Sequence, residues 1–423
     1  IILDIEDYWK TKCWQYRPEK GHTFQQDYNK ARQRGREFMR ALGNANPEIN
    51  ILAYFWLELE RAAFDGTPEL LEERLKVSDT GLLSGFINGI YDVLPAKTKI
   101  HDGLEDYCYK INNGITSYNR FLSIRKNRFL RLIRPENHAK LRAQTFFAPG
   151  IYVDSYINEM GNYRLSSKEL SPLELFRFNA LLATEYSDEY IWTFSECRKW
   201  YPAYYKPWMQ KSLQRNPKAK GEFWKTALPG IEDAIRFAAS PYSYSRENIL
   251  NGKFVNKNIA VNGTFESTGY PISHTKDSPD IKPLSIPGWS CRHAEKSTGN
   301  FEFAPRQGIA KSNAILAKGV SNGVILQNHK LKKGKSYFIR ASVKTKGEPF
   351  LCIHWKDADS KWCSLFENTR VKFSESLPNG WRRASQFFTL PPEEAAYFSV
   401  LISVHASTPD EECLIDNVEI YEL

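Results

Sequence analysis

Ile1-Ile2-Leu3-Asp4-Ile5-Glu6-Asp7-Tyr8 is an apolar run that stops on carboxylates and an aromatic ring. The same grammar returns at Ile49 to Trp56, Thr98 to Glu105, Thr145 to Asp154 and Glu189 to Glu196, each followed by a helix-like stretch. Strands alternating with amphipathic helices predict βα units on a parallel sheet, whose chemistry gathers at the C-terminal ends of its strands. Acids stand at those ends here, and glycoside hydrolysis needs two carboxyl groups facing each other across the bond.

The intervening stretches carry helical spacing. Tyr28, Ala31, Phe38 and Leu42 recur on one face within Gln25 to Leu42, and Gly43-Asn44-Ala45-Asn46-Pro47 stops them. Further helices are predicted from Glu69 through Val93, as a basic amphipathic stretch from Asn113 to Arg134, from Asn137 to Arg142, and from Pro172 to Tyr186. A full eight-stranded barrel needs about 250 residues. The region before residue 247 holds five βα-type units. The expectation is therefore the later part of a TIM-type β/α barrel, with its first strands and any signal peptide upstream of Ile1. An open doubly wound sheet is the rival architecture, but no Gly-rich phosphate loop follows the first strand.

Past Ser240-Pro241-Tyr242-Ser243 the texture changes. Short alternating strands are predicted at Gly323 to Gln327, Ser336 to Val343, Phe350 to Trp355, Trp381 to Leu390, Ala396 to Val404 and Leu414 to Tyr421. Strands at such intervals argue for an antiparallel β-sandwich of jelly-roll type. The expected division is a barrel over 1–247 and a sandwich over 248–423.

With 42% hydrophobic and 25% charged residues in 423, the chain has the composition of a multidomain globular protein. No apolar run approaches the ~18 residues of a membrane span. The net charge of +9 is spread through helix-like stretches, which fits solvated helix faces and gives no phosphate-binding track, so nucleic acid is not an expected partner. The seven cysteines contain no CxxC pair; Cys352 and Cys363 are placed to meet across a hairpin or to remain free thiols. Aromatic residues at 14% suit stacking on sugar rings and equally suit a large core.

Asn262-Gly263-Thr264-Phe265-Glu266, Pro287-Gly288-Trp289, Leu331-Lys332-Lys333-Gly334-Lys335-Ser336-Tyr337, Gly380-Trp381-Arg382-Arg383 and Ile415-Asp416-Asn417-Val418 follow one another in an order that resembles carbohydrate-binding modules of the galactose-binding-like sandwich class. The resemblance implies a structural calcium held in part by Glu266 and Asp416, with surface carboxylates as the other reading. In the N-terminal part, Leu3 to Tyr8, Gly85-Phe86-Ile87-Asn88-Gly89, His101 to Tyr107, Gly150 to Asp154 and Tyr190 to Glu196 resemble the distal half of a glycosidase-type TIM barrel from polysaccharide-degrading bacteria. No numbered hydrolase family is assigned, so no catalytic pair is inherited.

Strand alternation puts Asp4 and Glu6 on one face with Tyr8 beyond, and Leu3 and Ile5 on the other. Glu6 is the first candidate catalytic acid, and Asp102 or Glu105, around Gly103, is its expected partner. One of the pair would be held protonated by burial and neighbouring negative charge. Asp4 completes the catalytic candidates. Tyr8, Trp56, His101, Tyr107, Asp154, Trp192 and Glu196 are the expected sugar contacts. In the sandwich, Trp355 and Trp362 are candidate sugar contacts. Carboxyl groups about 5–5.5 Å apart imply retention, and about 6.5–9.5 Å inversion.

No Gly-x-Ser-x-Gly elbow, HExxH, P-loop or dinucleotide fingerprint occurs, and the eight histidines show no partner pattern. The sequence thus predicts a glycoside hydrolase without a catalytic cofactor, secreted or in the cell envelope, acting on a polysaccharide or oligosaccharide. The rival readings are a saccharide-binding protein with a degenerate barrel, and a sandwich that serves for protein or cell-wall attachment.

Overall fold

Parallel pairing organises the N-terminal part. In the computed structural model β1 (Ile2–Leu3), β2 (Asn50–Ala53), β3 (Lys99–Asp102) and β4 (Thr145–Phe147) form one sheet in that order, and β5 (Gly150–Tyr152) pairs in parallel with β6 (Trp192–Phe194). The described residues are 1–7, 12–57, 70–105, 109, 129–157, 164–195, 198–201, 222–267, 286–332, 334–363, 369–388 and 394–423. Strand order follows chain order without the reversal of a doubly wound sheet. The region Ile1–Ala239 is one compact unit of α/β type, and Ser240–Leu423 is the second.

The helices of the first unit have local causes. α1 (Phe24–Ala45) starts on a capping box between Thr23 and Gln26. The helix predicted from Glu69 to Val93 is two, α2 (Leu71–Val77) and α3 (Leu83–Val93). They part at a tight turn where a methyl on Gly81 would lie 1.8 Å from the Leu75 carbonyl oxygen. The stretch predicted from Asn137 to Arg142 forms α4 (His138–Gln144). α5 (Pro172–Tyr186) runs as expected from a Ser171–Glu174 capping box with proline in its first turn. The predicted Asn113–Arg134 helix falls mostly outside the described residues; Phe129–Arg131, near its end, is a short 3-10 turn. α6 (Trp224–Ala227) and α7 (Ile231–Ala239) close the unit.

α1 and α3 cross backbone to backbone. A methyl on Gly35 would stand 2.0 Å from the Phe86 carbonyl oxygen, and one on Gly89 1.9 Å from that of Arg32. Asp92 of α3 fastens the crossing, accepting bonds from Arg32 Nε at 2.7 Å, Arg36 Nε at 2.6 Å and Asn137 Nδ2 at 2.9 Å. Burial alone would favour the neutral acid, but those donors hold its carboxyl well below the usual range.

The second unit opens with α8 (Pro241–Leu250), which starts on a proline, so the texture change read at Ser240 is a helix first and strands later. Tyr242 packs on Phe338 with ring centroids 5.4 Å apart, so α8 belongs to the sandwich and the division precedes the expected Asn248. One sheet runs β13 (Thr369–Lys372), β12 (Phe350–Lys356), β16 (Tyr397–Val404), β10 (Gly323–Lys330), β7 (Ser290–His293). The other runs β14 (Glu375–Ser376), β15 (Arg382–Phe388), β11 (Tyr337–Thr345), β17 (Glu412–Glu422), β9 (Ala314–Lys318), β8 (Asn300–Ala304). The pairings that join them within each sheet are antiparallel. Their facing sides enclose Phe265, Trp289, Tyr337, Ile353, Phe398 and Ile415. Cys352 and Cys363 are both free thiols. Trp355, expected to meet sugar, is 7% exposed and belongs to this core.

Gly89→Ala should cost about 1–3 kcal/mol or more, because the methyl meets backbone that cannot move aside; equilibrium denaturation measures it, and an unchanged midpoint would refute the close crossing. His329, stacked on Phe398 and bonded to Gln327, has its pKa pushed down to about 4, chiefly by burial. The unfolded chain takes up this proton at about 6.5 and the folded one only near 4, so its contribution to stability is present above 6.5 and lost as pH falls between them. Melting temperature between pH 7 and 4 should fall less steeply in His329→Gln than in the parent.

Candidate active site

The register of the parallel sheet sorts the candidate acids. Leu3 pairs with Ala53, Ala53 with Asp102 and Asp102 with Phe147, so these side chains share one face. Thr145 pairs with Ile100 on that face, and its hydroxyl bonds the Tyr91 phenol of α3 at 2.6 Å, which makes this the helix-covered side. Asp102 is fully buried, and its Oδ1 accepts the Leu104 N–H at 3.3 Å. It is held against the loop rather than offered to solvent, which removes it as the partner expected for Glu6.

The opposite face carries His101 and Phe146. His101 is 2% exposed, its ring edge-on to Tyr190 at 4.7 Å and its Nε2 3.8 Å from the Glu189 carboxylate. Burial lowers its pKa first and foremost, against the pull of Glu189. The imidazole is a core group and not the expected sugar contact. Trp56 is 1% exposed and donates to the Tyr91 phenol at 3.1 Å, so it too is core. Asp154 is fully buried, with the Arg198 guanidinium 3.6 Å away and that cation in turn over the Trp224 ring; it pairs internally instead of accepting from a hydroxyl. Tyr8, Tyr107 and Glu196 lie outside the described residues.

A different set converges just past the strand ends. Tyr54 follows β2, and its phenol is pushed above its ordinary value by burial and then by the charges of Glu105 and Asp4. Glu105 begins the turn after β3, with its N–H donating to the Tyr54 carbonyl at 3.2 Å. Tyr109, four residues on, donates its N–H to the Glu105 carbonyl at 3.2 Å. Burial first, and then the charge of Glu105, drive the Tyr109 phenol's pKa far upward. Asp4 is exposed and Glu6 half-buried, and Asp4 Oδ1 accepts the Glu6 N–H at 3.0 Å.

Aromatic rings wall this acidic corner. Tyr54 stacks on Trp192 at 4.4 Å; Tyr109 lies 5.1 Å from Tyr152, 5.8 Å from Trp192 and 6.2 Å from Phe194. Trp192 is fixed by its indole N–H donating to the Ala148 carbonyl at 2.9 Å. Gly150 makes room for it, since a methyl there would lie 2.5 Å from the indole. Gly103, expected to bring the backbone close to a ligand, instead brings it to β2, where a methyl would meet the Ala53 carbonyl oxygen at 2.8 Å. Sequence reading missed Tyr54 and Tyr109. Tyr54 occupies the strand-end position that singled out the acids, and Tyr109 is four residues beyond Glu105.

In the sandwich, Glu266 and Asp416 address one loop. Asp416 is fully buried, accepting from Ile309 N–H at 2.7 Å, Ser312 Oγ at 2.6 Å and Asn417 N–H at 2.6 Å. Glu266 takes the N–H of Asn313 at 2.9 Å and its side-chain amide at 3.0 Å. Burial above all, and also the charge of Glu266, raise the Asp416 pKa. Two coupled hard-oxygen carboxylates, one buried, fit a cation in donor chemistry and charge. Among the described residues no cluster of three or more acidic, His or Cys side chains poised for a metal occurs, so further ligands there would be backbone or water oxygens.

No protein-family description and no curated protein matches the chain. Similar solved structures include the enzymatically active domain of bacteriophage CBA120 tailspike protein 4, at 11% identity and TM-score 0.28, covering 40% of this chain and 22% of that one. A CBM4 module is similar at 16% identity and TM-score 0.27, over 39% of this chain and 99% of the module. An arabinose-bound GH51 α-L-arabinofuranosidase is similar at 6% identity and TM-score 0.27, over 39% of this chain and 26% of the enzyme. The chain thus spans about a quarter or less of the length of either enzyme.

Proposed function

We propose that the chain is a polysaccharide-active glycoside hydrolase in which the N-terminal unit is part of a TIM-type β/α barrel and the sandwich is a carbohydrate-binding module. What supports the reading is that Glu105, held to Tyr54 through the backbone, and Asp4 both act by their charge on the Tyr54 phenol, which stacks on Trp192 near Tyr109. Glu105, whose charge acts on the buried Tyr109 phenol, would be the base or nucleophile. Asp4 and Glu6, on the neighbouring strand tip, are the proposed source of the second carboxyl group. This reverses the assignment in which Glu105 is a candidate for the protonated group. Flanking rings give a sugar flat faces on which to stack, and an attached module would raise the local concentration of polymer at the cleft. Such polymers lie outside the cell, so the protein would work there or at the envelope.

Glu105→Gln should lower release of reducing ends from a polysaccharide panel by about a hundredfold or more, as should one of Asp4→Asn and Glu6→Gln, with melting temperature unchanged. Full turnover in Glu105→Gln would overturn the assignment. Glycan binding by the parent without any release of reducing ends would favour a non-catalytic saccharide-binding protein instead.

We also propose that Glu266 and Asp416 hold a structural calcium, which would neutralise the buried carboxylate and tie the first segment of the sandwich to its last strand. Saturating calcium at about a hundred times its dissociation constant adds about 2.7 kcal/mol. Chelation should therefore lower the melting temperature of the sandwich transition by about 5–10 °C, and Asp416→Asn should abolish the response. A melt indifferent to chelator would dismiss the metal.

A further inference from the structure

The two outer faces of the sandwich differ in how their cations are neutralised. On the sheet containing β11, Arg340 pairs with Glu419, Arg383 lies 3.9 Å from Glu375, and Arg246 of α8 lies 3.4 Å from the same carboxylate. Those three arginines have carboxylates within the protein. On the sheet containing β12 the side chains of Leu351, Ile353 and Trp355 enter the core, which turns His354 and Lys356 outward. Arg292 pairs with Val324 across β7 and β10, and Arg370 with Cys352 across β12 and β13, which puts both on the same outer face. Lys372 on this face has Glu348 at 3.8 Å, but among the described residues Arg292, Lys356 and Arg370 make no ion pair.

An aromatic platform stands beside Lys356 on this face, between the edge strands that carry the two arginines. Trp362, 49% exposed, has the Lys356 ammonium 4.5 Å from its ring centroid and the edge of His354 at 5.3 Å. Lys356 also donates to Asn328 Oδ1 at 3.3 Å. The cations act on one another: burial and then Arg292 disfavour the charge on Lys356, and burial and then Arg370 disfavour protonation of His354. Unneutralised like charges on one face cost stability unless an anion from outside completes them. An arginine fork matches a carboxylate with two parallel hydrogen bonds, and a tryptophan face takes a pyranose ring.

We propose that the ligand of this face is an anionic polysaccharide carrying uronic-acid carboxylates, with Arg292 and Arg370 reading the charge and Trp362 the ring. The proposal rests on the reading of the sandwich as a saccharide-binding module and names the ligand class.

Affinity electrophoresis of the full chain in gels holding polygalacturonate, its methyl ester, neutral xylan or dextran sulfate tests it, with duplex DNA as a separate competitor. Polygalacturonate should retard the parent and its methyl ester should not. Retardation should weaken as salt rises from about 50 to about 500 mM. The double variant R292A/R370A, with W362A as a separate variant, should each weaken binding by about tenfold or more. Circular dichroism checks that the variants fold, and R292Q/R370Q repeats the test with side chains of closer size. Equal retention by xylan or the methyl ester, unchanged in R292A/R370A, would overturn the anionic ligand while leaving the module a saccharide binder. Retention by dextran sulfate or DNA but not by polygalacturonate would overturn it as well. Retention by no glycan at all would remove the saccharide reading together with it.

Discussion

The parallel ladder through Leu3, Ala53, Asp102 and Phe147 is the constraint on which the candidate site depends. Side chains alternate along a strand, so fixing which face the helices cover decides for every residue at once whether it points to the helix layer or away from it. Tyr91 of α3, bonded to Thr145, marks the covered face. Asp102 falls on it and is lost to solvent, whereas Glu105, past the strand end, escapes the alternation and turns toward Tyr54. The α1–α3 crossing then matters beyond its own packing. It sets the depth at which α3 lies, and the glycine contacts at Gly35 and Gly89 leave no tolerance there.

Much of the fold was legible in residues whose local chemistry and tertiary role agree. Ser171, Pro172 and Glu174 specify the start of α5 whatever surrounds them, and the strands of the sandwich show the period-two pattern of a sheet with one dry face. β7, β8 and β9 went unread, because they lie among turn residues where alternation is short. The site was legible only in part. The sequence marks strand ends but not the covered face, so Asp102 and Glu105 looked equivalent, and Asp154 looked free until Arg198 was brought to it from a distant segment. Trp56 and Trp192, alike as strand-end aromatics, part company for the same reason: one meets α3 and the other meets Tyr54.

The two units handle exposed charge in different ways. In the first, Arg32 and Arg36 are spent on Asp92 at a helix crossing, where a partly buried carboxylate needs donors to stay ionised. In the second, the sheet carrying β11 pairs its arginines within the protein, while the sheet carrying β12 leaves Arg292, Lys356 and Arg370 facing outward, Lys356 over Trp362 and the two arginines on opposite edge strands. The same residue type is therefore structural on one face and available on the other. The difference lies in whether the neighbouring strand offers a glutamate, as β17 does at Glu419 opposite Arg340, or an apolar residue, as β10 does at Val324 beside Arg292.

Burial sorts the acids on the same principle. A carboxylate withdrawn from water persists as an anion only where hydrogen-bond donors or cations replace the lost solvation. Asp154 has Arg198, and Asp416 has the Ile309 and Asn417 amides with the Ser312 hydroxyl; both are fully buried and committed to the fold. Glu105 and Asp4 differ in kind. They keep contact with solvent, and backbone bonds to Tyr54 and Tyr109 hold Glu105 in place. An acid so placed retains lone pairs for an incoming group, and its charge is felt at Tyr54 together with that of Asp4. That combination of partial exposure and a second carboxylate acting on the same phenol separates a chemically available pair from the buried acids around it.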